Sequence, residues 1–172
     1  MADAATRNRV FICLGSNIDA ERNLPAAARL LGRFGAIVAA STVYETLPVG
    51  FADQANFLNA AVLLETERPL DEILGEVVSS VERSLGRVRD PANPNGPRTI
   101  DLDVALFNDE RIRTERHELP DPDIGRYPFV AIPLAELAPD YVLPTTGETL
   151  AAVAGRLGIK AGDMRPRPDV RL

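Results

Sequence analysis

A chain of 172 residues with 45% hydrophobic and 26% charged residues has the make-up of an ordinary globular protein, of one domain or at most two very small ones. Its formal net charge of −6 argues against a general nucleic-acid-coating protein, its single cysteine excludes a disulfide scaffold, and its single histidine all but excludes a Ser-His-Asp hydrolase or a multi-histidine metal site. No apolar run approaches the ~18 residues of a membrane span, and Met1 to Arg9 carries no signal-peptide core, so a cytoplasmic protein is expected.

Val10 to Leu14 is a short apolar run ended by Gly15-Ser16-Asn17, and it reads as a buried strand entering a turn, with Cys13 a small buried hydrophobe inside it. Leu24, Ala27, Ala28, Leu31 and Phe34 recur at helical spacing and predict a helix over Leu24 to Phe34, stopped by Gly35. Ala36 to Thr46 and Phe57 to Thr66 are rich in β-branched and small residues and read as strands. The loop between them, Leu47 to Gln54, is too long for a tight hairpin. Leu70, Ile73, Leu74, Val77, Val78, Val81 and Leu85 form one apolar stripe and predict a helix over Leu70 to Leu85. Asp71 and Glu72 stand where the helix dipole favours acids, and Gly86 ends the helix.

Arg87 to Pro97 holds three prolines and is no regular element. Thr99 to Phe107 alternates, with Ile100, Leu102, Val104 and Leu106 on one face and Asp101, Asp103 and Ala105 on the other. Arg111 to Thr114 reads as a short strand able to pair back as a hairpin. Glu118 to Pro128 reads as a loop, and Phe129 to Leu137 and Glu148 to Leu157 as short helices. The polar tail from Gly158 to Leu172 is expected to be loose. Locally paired strands with interspersed helices, and no internal repeat, predict one α+β domain over residues 1–172 with a mostly antiparallel sheet.

The strand carrying Asp101 and Asp103 is the first place where chemistry shows. Residues i and i+2 of a strand share a face at about 6.6 Å separation, a spacing at which two carboxylates can hold one magnesium ion or bracket two. An isolated Asp-x-Asp also fits a pair of solvated surface acids. Arg98, three residues earlier, and Arg87 and Arg89, at the start of the same loop, sharpen the pattern: a metal-binding acidic pair edged by arginines suits phosphoryl transfer. Lys160 is the only lysine against 18 arginines; either base composition or a need for forked phosphate contacts accounts for that skew. Thr46, Phe57, Asn59 and Phe129 offer aromatic slabs and hydrogen-bonding groups for a flat polar heterocycle, although by pattern alone the two phenylalanines read as core. No Gly-Lys-Ser/Thr phosphate loop and no Gly-x-Gly-x-x-Gly is present.

With these residues collected, the chain resembles the 6-hydroxymethyl-7,8-dihydropterin pyrophosphokinases of folate biosynthesis over roughly residues 9 to 150. The anchors, in order, are Leu14-Gly15-Ser16-Asn17, Tyr44-Glu45-Thr46, Asp53-Gln54, Phe57-Leu58-Asn59-Ala60-Ala61-Val62, Glu82 with Leu85-Gly86-Arg87-Val88-Arg89, Gly96-Pro97-Arg98-Thr99-Ile100-Asp101-Leu102-Asp103, Leu119-Pro120, and Pro133-Leu134-Ala135-Glu136-Leu137-Ala138-Pro139. The resemblance implies a ferredoxin-like α+β sandwich whose sheet is flanked by helices. It implies transfer of an intact pyrophosphoryl group from ATP to the pterin hydroxymethyl oxygen, with release of AMP. Asp101 and Asp103 would hold two magnesium ions, Arg87 and Arg98 would close over the triphosphate, and Glu82, Arg89 and Arg116 would lie near the nucleotide. Thr46, Phe57, Asn59 and Phe129 would form the pterin pocket. ATP and a hydroxymethyl dihydropterin would then be the partners of a monomer that binds neither nucleic acid nor membrane.

The departures from the family pattern are equally specific. Asp121 stands where the family usually has a histidine, Asp90 and Asn95 where a basic residue and a tryptophan are common, and Tyr127 where an arginine is expected, with Arg126 adjacent. Acids beside a triphosphate oppose its binding. Two readings stay open on that ground: a working magnesium-dependent enzyme with a weakened ATP grip, or a weak or silent relative that binds pterin or a protein partner. His117 is either a displaced replacement for the missing histidine or an ordinary exposed one.

Overall fold

The apolar run that opens the chain lies inside the sheet. Strand β1 (Asn8–Ser16) pairs antiparallel with β4 (Phe57–Thr66) on one side and with β5 (Asp101–Phe107) on the other. The computed structural model describes residues 7–159 and 163–172. Beyond β4 lie β2 (Ala36–Ala40), along its C-terminal half, and β3 (Tyr44–Thr46), along its N-terminal end. Strand β8 (Met164–Pro166) completes the six-stranded order β5-β1-β4-β3-β8, with β2 beside β4, and every pairing is antiparallel. The expected antiparallel α+β architecture is borne out.

Period-2 alternation sends alternate side chains to two different helix layers. Ile12, Leu14, Val62 and Leu64 face α1 (Ala20–Leu31) and the helical run of α2 (Leu70–Glu72), a π turn (Ile73–Val77) and α3 (Val78–Ser84). Phe11, Ala61 and Leu63 face α4 (Pro128–Leu137) and α5 (Leu150–Leu157). The predicted stripe holds: Ile73, Val77 and Val81 are fully buried and Leu70, Leu74, Val78 and Leu85 pack around them. Helix α3 ends as expected at Gly86, whose φ of +72° a residue with a side chain rarely adopts. The Gly86 N–H donates to Arg83 O and the Arg87 N–H to Glu82 O, both at 3.0 Å, which satisfies the last carbonyls and launches the arginine loop.

Five sequence expectations are corrected. Helix α1 starts at Ala20, not Leu24, and ends at Leu31; its first turn is polar and carries no apolar period, and the Asn23 amide donates to Ile18 O at 2.7 Å to support it. The strand expected over Ala36 to Thr46 is two strands, broken where the Ser41 hydroxyl accepts the Ala61 N–H in place of a backbone group. The alternation of β5 slips: Phe11 faces Leu106 but Ile12 faces Val104, leaving Ala105 unpaired. Leu106 therefore joins the α4/α5 side and Phe107, not Leu106, joins Ile100, Leu102 and Val104. The short strand near 111–114, β6 (Ile112–Arg113), pairs with β7 (Glu118–Leu119) inside the segment read as loop, forming a separate two-stranded ribbon. Finally, the tail from residue 163 onward is not loose: β8 zips onto β3, Val170 is buried, and Arg167 forms ion pairs with Glu21, Glu45 and Asp169. Residues 160–162 of that tail lie outside the described residues.

Candidate functional site

Helices α4 and α5 cover only part of their sheet face. Where that cover ends, at the N-terminal end of α4, a cavity of about 240 Å³ opens over β1, β3, β4 and β5. Its lining includes Thr46, Phe57, Asn59, Arg98, Asp101, Asp103 and Phe129, so seven of the residues singled out from sequence stand around one space.

One wall is set by the pairing of β3 with β4. Thr46 lies opposite Phe57 and Tyr44 opposite Asn59, and the Asn59 amide donates to Thr46 Oγ1 at 2.7 Å. Thr46 is buried and its hydroxyl is locked in place. Gly15 lies beside Asn59 in the ladder; a β-carbon there would come within 3.1 Å of Asn59 Oδ1. The missing side chain keeps the floor clear. Phe129 enters from the first turn of α4 and stacks on Tyr127, ring centroids 5.1 Å apart and planes 23° apart. The Tyr44 hydroxyl and the Thr42 N–H both donate to Glu136 of α4, which ties that helix to β3. Burial and the Glu136 carboxylate push the Tyr44 hydroxyl up to about 12.

The facing wall is acidic. Asp101 and Asp103 sit on β5 opposite Gly15 and Cys13 of β1. Asp101 accepts from Arg98 Nη1 at 2.8 Å, and Arg87 Nη2 lies 3.6 Å from its other oxygen. Asp103 opens onto the cavity. Partial desolvation first, then Asp101, Asp121 and Glu82, push its carboxyl up to about 7. Asp121 also lines the cavity; its N–H donates to Ala105 O and its carboxylate accepts from the Asp123 N–H at 2.9 Å, and burial raises it as well. Cys13 is half-buried on the cavity floor rather than deep in the core, and burial with the nearby Asp103 and Asp121 carboxylates pushes its thiol well up, so it is an inert neutral thiol.

Arg98 is held from every side. Its N–H donates to Asn17 Oδ1 at 2.8 Å, its guanidinium donates to Gly96 O and Pro94 O as well as Asp101, and the same group lies 5.4 Å above the Phe57 ring. The Asn17 amide donates to Gln54 Oε1 and Ala55 O, and the Gln54 amide donates to Asn95 O. Asn17 and Gln54 thus tie together the two loops that flank the cavity. The Arg87 side chain is almost entirely buried, and burial lowers its pKa. Its Nε has no hydrogen-bond partner among the described residues.

Other expected residues stand apart from the cavity. Glu82 lies behind β5, its oxygens taken by the Leu102 N–H at 3.0 Å and by Arg89 Nη2 at 2.8 Å. Arg89 is mostly exposed. Arg116 and His117 occupy the exposed turn of the β6–β7 ribbon, so His117 does not stand in for the histidine replaced by Asp121. Arg126 pairs with Asp123 at 3.3 Å on the surface. Sequence reasoning did not single out Cys13, Gly15 or Asp123 as lining; for the first two the signal was strand register, which a one-strand pattern does not contain.

The donor set suits a hard divalent cation. The two carboxylates of β5 face the cavity with excess negative charge, and among the described residues no third His, Cys, Asp or Glu closes a protein-only cage. Magnesium is commonly held in this way, by one or two carboxylates with substrate phosphates and water filling the other positions.

Comparison with known proteins gives one answer. Residues 11–139 match the profile of the 7,8-dihydro-6-hydroxymethylpterin-pyrophosphokinase (HPPK) family. The chain is 45% identical over 133 residues to the 2-amino-4-hydroxy-6-hydroxymethyldihydropteridine pyrophosphokinase of Bacillus subtilis, covering 76% of this chain and 78% of that one. It is 41% identical over 152 residues to the Methylorubrum extorquens protein of the same name, covering 87% and 93%. In fold it is similar to a Plasmodium falciparum HPPK-DHPS, with a TM-score of 0.67 at 14% identity over 91% of this chain; it spans 46% of that longer chain.

Proposed function

The chain belongs to the 7,8-dihydro-6-hydroxymethylpterin-pyrophosphokinase family, and from that premise we propose that it transfers pyrophosphate from ATP to 6-hydroxymethyl-7,8-dihydropterin, releasing AMP, in folate biosynthesis. One observation carries the reading: an acidic pair edged by arginines and a wall of aromatic and amide groups face each other across one cavity.

On the pterin side, Phe57 and Phe129 supply faces for a flat ring, and the Thr46–Asn59 pair supplies fixed hydrogen-bonding groups at its edge. On the nucleotide side, Asp101 and Asp103 would hold magnesium, two ions in this reading, and the chemistry supplied there would be neutralisation of phosphate charge and polarisation of the transferred group. Arg87 and Arg98, now leaning on Asp101, exchange that carboxylate for phosphate oxygens as the nucleotide arrives. The hydroxymethyl oxygen, giving up its proton to solvent, bonds to the β-phosphorus as the bond to the α–β bridging oxygen breaks, and that oxygen leaves on the α-phosphate, which is why the nucleotide product is AMP. Arg89 and Arg116, both exposed, are candidates for the outer part of the nucleotide.

The same reading takes the 172 residues as one domain, acting as a monomer in the cytoplasm on two small molecules and on no nucleic acid. The one-domain part rests on the six-stranded sheet, which takes in strands from residue 8 to residue 166; separately, no helix among the described residues is long and apolar enough to cross a membrane. The test is to mix the protein with ATP, magnesium and hydroxymethyldihydropterin and resolve the nucleotides. AMP in step with pterin pyrophosphate is expected; pterin binding with no AMP at millimolar ATP would leave the silent relative instead.

A further inference from the structure

We propose that Glu82 is a positioning residue, which sets the acidic strand against the arginine loop without touching a substrate itself. The inference rests on the reading of Asp101 and Asp103 as the metal pair. Strand β5 is the outer strand of its sheet, so part of its backbone has no strand partner. The Leu102 N–H, between the two aspartates, donates to Glu82 Oε1 at 3.0 Å. Glu82 is 5% exposed, and its other oxygen is taken by Arg89. Its backbone carbonyl accepts the Arg87 N–H at 3.0 Å, at the point where the arginine loop begins.

One residue at the end of α3 therefore holds three things: the peptide between Asp101 and Asp103, the start of the loop that delivers Arg87 and Arg98, and the Arg89 side chain. Both of its carboxylate oxygens are already spent on the protein, which leaves it ill placed as a direct nucleotide contact. Groups that orient metal ligands from behind are commonly worth a large part of metal affinity. If the strand shifts, the two carboxylates and the arginines shift out of step.

The test uses the full chain, with Mn²⁺ as the probe in the presence of a non-hydrolysable ATP analogue, bound ion being read by electron paramagnetic resonance and AMP formation assayed in parallel. Glu82→Ala is expected to weaken Mn²⁺ binding by about 10- to 100-fold, with hydroxymethyldihydropterin affinity unchanged. Glu82→Gln keeps a carbonyl oxygen for the Leu102 N–H and is expected to restore most of the Mn²⁺ affinity. Glu82→Asp, with the oxygen withdrawn by one methylene, is expected to fall nearer to Ala than to Gln, and it serves if the alanine variant does not fold. Unchanged Mn²⁺ affinity in both Ala and Asp variants overturns the proposal. So does a Gln variant as weak as Ala, the result for a carboxylate that meets the ligand directly. Wild-type protein that binds Mn²⁺ and nucleotide but makes no AMP defeats the proposed function while leaving the Mn²⁺ comparison intact.

Discussion

The two walls of the cavity rise from the same sheet face but are finished to different degrees. The aromatic wall satisfies itself: Asn59 donates to Thr46, Phe129 stacks on Tyr127, and Glu136 pins the helix that carries Phe129 to β3. The acidic wall does not. Asp103 is held at about 7 by partial desolvation and its acidic neighbours, Arg87 keeps a buried Nε without a partner among the described residues, and two arginines converge on Asp101. A self-satisfied wall recognises by shape and hydrogen bonds that already exist. A wall left with unbalanced charge recognises by what would neutralise it.

That contrast can be broken at its strongest point first. Asp103→Asn should cost on the order of 10³-fold in AMP formation, since a bound metal contributes several kcal/mol and each 1.36 kcal/mol is tenfold in rate. The same substitution should raise the melting temperature of the metal-free protein at pH 8, because it removes a crowded charge. A variant that loses activity and stability together would show that the acidic wall is not strained.

Arg98→Ala comes next, with an expected loss of roughly 10²- to 10³-fold in kcat, as for removal of one preorganised charge-stabilising donor. Its affinity for hydroxymethyldihydropterin should not fall, since the substitution clears the Phe57 face. On the other wall, Phe129→Ala should weaken pterin binding by about 1–3 kcal/mol, the scale of ring stacking on an aromatic side chain, with nucleotide affinity unchanged. Calorimetric titration of each ligand separates these two outcomes.

The smallest effect is the pH dependence of the bare protein. The Asp103 carboxyl is raised from 3.8 to about 7 on folding. The native state therefore binds the proton more tightly than the unfolded chain, and stability falls as pH rises from about 4 through about 7. Asp121 is shifted in the same direction, whereas Glu45, held near 2 by Arg165 and other donors, loses its contribution only at lower pH. Melting temperatures in a chelator between pH 4 and 8 should decline, and Asp103→Asn should flatten that decline.

What was legible in the sequence follows the range of the interactions. The β4 bounds follow from local composition, and the apolar stripe around Ile73, Val77 and Val81 and the cavity-facing Asp101 and Asp103 follow from local periodicity. Leu106 was misplaced because the slip at Ala105 is a property of the pairing with β1, not of β5 alone. The tail read as loose because its anchors are distant in sequence: Arg165 reaches Glu45 across 120 residues. Glu82 was tied to the nucleotide by resemblance, while its actual contacts, Leu102 and Arg89, depend on how α3 crosses the edge of the sheet. Residue type alone groups Thr46, Phe57, Asn59 and Phe129 as a heterocycle site, and only Phe57 and Asn59 have a spacing that supports it.

The pairing of β8 with β3 has a consequence for solubility. The strand that carries Thr46 is an interior strand only because Met164–Pro166 lies along it, with Glu45 clasped by Arg165 and Arg167. Stripped of that cover, β3 would present a row of free backbone donors and acceptors to any neighbouring molecule. Met164–Pro166 thus closes from outside the strand whose Thr46 the Asn59 amide holds from within, and leaves that edge no free ladder for a neighbouring molecule to pair with.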